Sequence, residues 1–567
     1  MHGPGRVAWL LMYPDTYEIG LPNQGLQILY ELLNERDDAV AERAYAPWLD
    51  MEAKLREGHV PLFSLETHRA AGEFDVLAFN ISAELVYTNV LNCIDLAGVP
   101  VRAAQRTGTD PLVIAGGHCT FNPEPLADFV DAFVIGDGEE VIGELTDALR
   151  GWRSRPRHDV LRDLAAIPGV YVPSLYDVVY DGPALVAVAP RDPGVPAVVE
   201  KRTIADLAAW PYPSTQLVPL TEVVHDRLNV EVFRGCTRGC RFCQAGMITR
   251  PVRERPAEQV RHMVASGLER TGYDEVSLTS LSTADFSGIE SLVGDLCSAD
   301  IAVALPSLRV DAFTVGIASE IQKVRRTGLT FAPEGGTWRM RRVINKLITE
   351  EDLYGAVEAA FSQGWRRVKL YFLIGLPTET DDDVLGIAEL AKRCAQIGRA
   401  HVRGATVAVS VGGFVPKPQT PFQWAAQDSV ATLRHKIGLL QDAFRGVRGV
   451  QMKWHDPRAT LVEGIASRGD RRLGAVIEDV WRAGGTFQEW SEQFDLGRWS
   501  AAMERHGLSI EWYVNRERPR DEVLPWAHIS AGLHADFLWQ DWQDALAEEV
   551  VEDCRWTPCY DLSLIHI

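Results

Sequence analysis

The chain has 567 residues, 46% of them hydrophobic and 24% charged, with a formal net charge of −21. That length predicts several cores rather than one, and the acidic balance excludes a chain-wide electrostatic grip on nucleic acid, whose phosphates attract Lys and Arg. No apolar run reaches the roughly 18 residues of a membrane span. The first apolar stretch breaks at Pro14-Asp15 with no small-residue cleavage site, so it reads as a strand and not as a signal peptide. A cytoplasmic setting follows, where clustered thiols bind metal or do chemistry rather than form disulfides.

Residues 1–150 alternate short apolar runs with helical spacing: RVAWLLMY then GLQILYELLNE, DVLAFNIS then TNVLNCIDLAG, then PLVIAGGH and AFVIGDGEE. Strands alternating with helices predict βαβ units and a doubly wound parallel sheet of α/β class, with its ligand on the loops that follow the strands. Residues 151–225 are Pro-rich and predict a connector with a little strand structure. From 226 to 448 the alternation resumes through NVEVF, EVSLTS, AVALPSL, GLTFAPE, RVKLYFLIG and ATVAVSVGGF. Six β/α units suit a partial (β/α)6 barrel rather than a closed eight-unit one. Residues 449–561 are mainly helical and aromatic-rich, and predict either a separate accessory domain or a packed extension. The six residues 562–567, Leu562 to Ile567, back-translate to a transposase adapter used in sequencing libraries, so the natural sequence is expected to depart from this one after about Asp561.

The segment VFRGCTRGCRFCQAG places Cys236, Cys240 and Cys243 at C-x3-C-x2-C spacing, just after the first barrel strand. A structural zinc site takes four N or S ligands. Here one C-x2-C pair has a third cysteine before it and no nearby His, and a disulfide would leave one thiol over. Iron–sulfur clusters are held by thiolates. Three thiolates on a 4Fe–4S cube leave one iron open, the open-position logic of catalytic metal sites. Arg234, Arg238, Arg241, Arg250, Arg253 and Arg255 crowd the same stretch. Either they are solvated or paired with nearby acids, or they face an anionic substrate or cofactor.

With Phe242 before the last cysteine, this motif resembles that of the radical SAM superfamily. The resemblance implies a 4Fe–4S cluster on Cys236, Cys240 and Cys243 whose open iron is chelated by S-adenosylmethionine. It implies reductive cleavage to methionine and a 5′-deoxyadenosyl radical that attacks an unactivated carbon. A low-potential electron donor of flavodoxin or ferredoxin type is then a partner, and clusters reach down to about −700 mV. Further motifs match in the family's order. Glu334 in GLTFAPEGG is expected on the cofactor's ribose. Lys346 in RRVINK is expected on its carboxylate, the alternative being a solvated helix lysine. Gly375 in YFLIGLPTET is expected to let backbone approach adenine, with Glu379 supporting the turn. SLTSLST departs from the Gly-Gly-Glu-like motif usual at the second strand, so Thr279, Ser280 and Ser282 are candidates for the methionyl amine. No catalytic residue beyond the cluster is assigned. FVPKPQTPFQW, Phe414 to Trp424, resembles the sixth-strand segment of methylthiotransferase-like and tRNA-modifying members, which leaves RNA open as a substrate.

GGHCTFNPEPLADFVDAFVIGDGEE resembles the cobalamin-binding domain that precedes the barrel in a large radical SAM subgroup. DTYEIG aligns with its D-x-H-x-x-G loop, keeping Asp15 and Gly20, but Tyr17 replaces the His that would ligate cobalt. A phenol with pKa about 10 is a poor ligand at neutral pH. The resemblance therefore makes cobalamin a candidate cofactor without ligation by His, though some members keep the domain and have lost the cofactor. Candidate contacts are Asp15, Tyr17, Gly20, Ser82, Glu84, Gly116, Gly117, Gly136 and Gly138. His118 is expected to hydrogen-bond within its loop. The resemblance covers nearly the entire chain, and relatives carry further cysteines beyond CRWTPCYD. Cys554 and Cys559 are accordingly either ligands of a second metal site or two lone thiols. The function implied is a radical SAM enzyme, with methyl transfer through cobalamin as the finer reading. The alternative is a non-catalytic module that binds cluster and S-adenosylmethionine or senses redox state.

Overall fold

The computed structural model describes residues 2–3, 5–210, 213–305, 310 and 328–553. Its first sheet holds β1 (Val7–Tyr13), β2 (Ala39–Tyr45), β3 (Val76–Asn80), β4 (Leu112–Gly116), β5 (Ala132–Val134) and β6 (Val170–Tyr171), in the order β2-β1-β3-β4-β5-β6. All neighbours run parallel except the last pair, β5 and β6. β1 is buried from Val7 to Met12, as an all-apolar run must be when helices cover both faces. β2 has no such run because Glu42 and Arg43 interrupt it. Glu42 is buried nonetheless, its carboxylate taking hydrogen bonds from Thr67 at 2.8 Å and His2 at 2.6 Å. The chain goes outward from β1 to β2 and then returns to β3. The β1/β3 junction is thus the topological switch point, where such sheets bind ligands.

The connector carries a hairpin of β7 (Tyr176–Asp181) and β8 (Ala184–Pro190), then β9 (Val199–Glu200). The barrel follows as two parallel sheets. One is β10 (Leu228–Glu231), β13 (Glu275–Thr279) and β14 (Ala302–Ala304); the other is β15 (Leu329–Glu334), β16 (Arg367–Ile374), β17 (Thr406–Gly413) and β18 (Val450–Trp454). Between β10 and β13, a short antiparallel pair, β11 (Phe233–Arg234) and β12 (Arg253–Glu254), closes the cysteine loop at its base. Of AVALPSL, residues 306–308 lie outside the described residues.

The sequence places the barrel's end at residue 448, but β18 continues the sheet beyond it. VQMKW is half-buried or exposed throughout, so it lacks the apolar run that marks a barrel strand. The region that follows is a packed extension and not a domain apart. Its helices Pro457–Arg468, Leu473–Arg482 and Leu496–Arg505 bury Ile465, Ile477 and Trp499 in the same core as β1 and β3. Trp526 and Trp542 then close over the barrel against Met340, Phe422 and Trp424. β19 (Ile529–Ser530) pairs with β9, tying this extension to the connector. Among the described residues no helix is long and apolar enough to cross a membrane.

Candidate active site

The cysteine loop begins at Gly235, whose φ of +95° and packing require glycine: a Cβ there would stand 2.4 Å from the carbonyl oxygen of Pro251. Cys243 caps the helix Gln244–Ile248, its Sγ accepting the Gly246 N–H at 3.3 Å. Cys236, Cys240 and Cys243 are half-exposed, whereas Cys93, Cys119, Cys297 and Cys394 are buried in the cores. Burial, and then the neighbouring Cys240 and Cys236, push the Cys243 thiol up to about 12, with Lys346 opposing. Cys243 and Cys236 both flank Gly246, within 3.3 and 3.9 Å of where its Cβ would stand, and a metal centre on these thiols would deprotonate them outright. Among the described residues no three His, Cys, Asp or Glu side chains converge on a single metal ion. Thiolates that hold a 4Fe–4S cube would each bind a separate iron and would not have to converge on one ion.

Lys346 links Phe242 to the end of β15. Lys346 Nζ sits 3.1 Å from Glu334 Oε1 and 5.9 Å from the centre of the Phe242 ring. Its side chain is only 12% exposed, so it is not a solvated helix lysine. Glu334 takes φ +64°, an uncommon conformation for a non-glycine residue, after a register shift in β15. After β16, Gly375 (φ +81°) donates its N–H to Glu379 at 2.6 Å. Glu379 is also held by Lys436 at 2.8 Å, and Lys436 reaches Asp428 at 2.7 Å. After β13, Thr279 Oγ1 accepts a hydrogen bond from Gln24 at 2.8 Å, and Ser280 lies 3.0 Å from Thr283. Ser282 donates to Asp285, which in turn holds Arg238 at 2.6 Å.

A cavity of about 610 Å³ lies between the switch point of the first sheet and the barrel. Asn80, Ser82, Gly116, Gly117, Gly136 and Gly138 form one wall; Glu231, Gly235, Thr279 and Ser280 form the other. A Cβ on Gly116 would meet nothing within 4 Å, so this wall is open. In the depth of the cavity the fully buried Trp9 has an indole N–H without a partner. Four expected contacts do not line it. Asp15 accepts from Thr16 N–H at 2.7 Å and Trp490 Nε1 at 3.1 Å. The Tyr17 ring packs edge-on against Tyr45 at 5.3 Å, and a Cβ on Gly20 would come within 2.6 Å of Tyr45. Glu84 is paired with Lys417 at 2.7 Å. The segment after β1 folds over the end of β2 and carries Asp15, Tyr17 and Gly20 with it, while Glu84, after β3, is drawn off by Lys417. His118 lines the cavity but makes no ring hydrogen bond within its loop, contrary to expectation. Desolvation lowers its pKa, with Glu84 opposing, although the residue keeps an exposed face.

The six arginines turn inward. Arg234 bridges Asp137 at 2.9 Å, Glu139 at 2.7 Å and Glu231 at 3.0 Å, binding the cysteine loop to the loop after β5. Arg253 also holds Asp137. Arg241 is buried on Asp541 at 2.7 Å and on the carbonyls of Val343 and Glu549. Arg238 pairs with Asp285 and Asp553, Arg250 donates to the Arg238 carbonyl, and Arg255 donates to those of Leu207 and Trp210. They are structural ties and form no solvent-facing basic patch. Sequence reasoning missed Gln24, the acidic partners at Asp137 and Glu139, and the Lys417 pairing. Lys417 lies in a segment already marked by pattern and Gln24 just before one, but their partners are more than 250 residues away. Cys554 and Cys559 lie outside the described residues.

Residues 230–391 match the model of the radical SAM superfamily, and residues 25–173 that of radical SAM proteins, N-terminal. The chain belongs to the radical SAM superfamily of enzymes, whose cofactors are a 4Fe–4S cluster and S-adenosylmethionine. An uncharacterized protein of Methanocaldococcus jannaschii is 26% identical over 471 residues, 82% of this chain and 90% of that one. Among solved structures, the radical S-adenosylmethionine methyltransferase TsrM of Kitasatospora setae, with cobalamin and a 4Fe–4S cluster bound, matches 88% of this chain and 100% of its own at 13% identity, with a TM-score of 0.55. That likeness is one of fold. The cobalamin-dependent S-adenosylmethionine radical enzyme OxsB matches 96% of this chain and 80% of its own at 11% identity, with a TM-score of 0.46.

Proposed function

We propose that this chain is a cobalamin-dependent radical SAM methyltransferase acting on an unactivated carbon. The observation that carries the reading is the single cavity shared by the switch point of the sheet and the mouth of the barrel. Cys236, Cys240 and Cys243 are the proposed ligands of the 4Fe–4S cluster. When bound, the cluster supplies the electron that splits a C–S bond of S-adenosylmethionine, and cobalamin supplies a methyl carrier. Lys346 and Glu334, already holding each other at 3.1 Å, present one cation and one acceptor to the carboxylate and ribose of S-adenosylmethionine. Thr279 and Ser280 offer hydroxyls to its amine. Glu379 holds the turn in which Gly375 leaves room for adenine.

Two features favour a corrinoid on the sheet side. The wall at Gly116 is open, and Trp9 has an unused donor in an otherwise apolar depth. Tyr17 faces Tyr45, so its loop offers no axial ligand to cobalt. The inward arginines remove one of the two grounds for an RNA substrate. A low-potential donor of flavodoxin or ferredoxin type completes the proposed system. The test is anaerobic reconstitution with cobalamin, reduction and addition of S-adenosylmethionine with candidate substrates. S-adenosylhomocysteine beside 5′-deoxyadenosine is expected. 5′-Deoxyadenosine alone overturns the methyl-transfer reading, and neither product from a loaded cluster overturns the enzyme.

A further inference from the structure

A second cavity, about 660 Å³, opens over the C-terminal ends of β1 and β2. The rings of Tyr17, Tyr45, Trp48, Phe63 and Trp490 line it. Tyr17 meets Tyr45 edge-on at 5.3 Å, and Trp48 meets Trp490 edge-on at 5.0 Å. Edge-on pairs leave ring faces turned to other neighbours. At the rim Met51, Leu65 and Val224 are 44%, 40% and 57% exposed, an apolar patch of the kind that marks a binding site.

The charge of this cleft is one-sided. Glu18 brings a carboxylate to the wall, and among the described residues no Lys, Arg or His lines it. Thr16 also lines it; the residue is only 9% exposed, yet its hydroxyl has no hydrogen-bond partner. Aromatic faces attract cations. A carboxylate adds charge complementarity, and a buried hydroxyl oxygen can accept an N–H hydrogen bond.

We propose that this cleft binds the substrate by an ammonium group carried on an apolar body, so that the substrate class is an organic amine. The ring faces and Glu18 take the charge, Thr16 Oγ1 takes one N–H, and the aliphatic rim covers the carbon skeleton. A carboxylate-bearing molecule of the same shape would face Glu18 and lose the cation–ring attraction. The inference rests on the reading of the chain as an enzyme with its cofactors in the neighbouring cavity. Adjacent strands are about 4.8 Å apart. The β1/β2 cleft and the β1/β3 cavity thus open on either side of one strand end.

The test titrates the full chain, without cluster or S-adenosylmethionine, with phenethylamine, 2-phenylethanol and phenylacetate in a calorimeter. Phenethylamine is expected to bind about tenfold tighter than the alcohol, with phenylacetate weakest. Glu18 is exposed, so Glu18→Gln keeps the fold; it should cost the amine about fivefold and leave the alcohol unchanged. Phe63→Leu should weaken the amine by a similar factor. Equal affinity for the three probes, or amine binding indifferent to both variants, overturns the proposal. Cleavage of S-adenosylmethionine by the reconstituted wild-type chain is a separate readout. A chain that cleaves it and ignores the amine sinks this inference alone; one that binds the amine and cleaves nothing sinks the enzyme reading on which it rests.

Discussion

Lys417 Nζ stands 2.7 Å from a carboxylate oxygen of Glu84 and 2.7 Å from one of Glu463. One ammonium thus joins the loop after β17, the loop after β3 and the extension helix Pro457–Arg468. Burial alone would lower its pKa, but Glu463 and Glu84 more than reverse that. Removing the ammonium leaves Glu84, with a side chain 9% exposed, as an uncompensated buried charge. Lys417→Met is expected to destabilise the fold by about 3 kcal/mol. Adding Glu84→Gln should recover part of that, because the stranded charge is gone. Urea melts of the two variants check it; equal stability of Lys417→Met and wild type would refute the tie.

Each of Cys236→Ala, Cys240→Ala and Cys243→Ala should abolish the reconstituted iron–sulfur absorbance and 5′-deoxyadenosine formation together. The same change at Cys119, Cys297 or Cys394 should leave both in place. Those three are buried core thiols, and truncation there costs packing only. Retention of a full cluster in any of the first three variants would show that a ligand has been misassigned.

Gly116→Leu separates corrinoid binding from folding. The new side chain has room, with nothing within 4 Å of its Cβ, and Gly116 has no positive φ to strain. It would fill the cavity where the sheet wall is open. The variant should fold with a melting temperature close to wild type and carry no corrinoid absorbance through gel filtration. Wild type loaded with cobalamin should carry it. Corrinoid retained in the variant would place the cofactor elsewhere.

Glu489 provides a pH test. Burial, then Asp15, Glu463 and Glu84, push its carboxyl up to about 7 from an ordinary value of 4.5. Between those two values the folded chain holds a proton that the unfolded chain does not. Stability from this group is therefore largest below about pH 4.5, falls as pH rises, and levels off above about 7. The carboxylate is also exposed to water, which damps the effect. Glu489→Gln should flatten that part of the melting-temperature profile. A wild-type profile of the same slope as the variant's would show that Glu489 titrates normally.

Much of the fold is legible in the chain, for identifiable reasons. β1, β3 and β4 are apolar runs because helices cover them on both sides, and β16 shows the alternation of a strand buried on one face, with Val368, Leu370 and Phe372 inside. β2 and β18 escape notice for opposite reasons: β2 buries a charged Glu42 on hydrogen bonds from the distant Thr67 and His2, and β18 lies exposed at the barrel's edge. The extension's Trp residues announce burial but not against what. Trp499 joins the first sheet while Trp542 joins the barrel, although they lie fewer than fifty residues apart.

The cysteine spacing, Phe242, and the order of Glu334, Lys346, Gly375 and Glu379 stand in the sequence itself, because each is set by local backbone and short-range chemistry. What the loops face is different. Tyr17 turns toward Tyr45, the arginines turn inward onto Asp137, Asp285 and Asp541, and Gln24 meets Thr279 across 255 positions. Those outcomes depend on how two sheets and an extension share their strand ends. A buried charge or amide takes whatever partner the packing brings within about 3 Å, and only the tertiary structure decides which one that is.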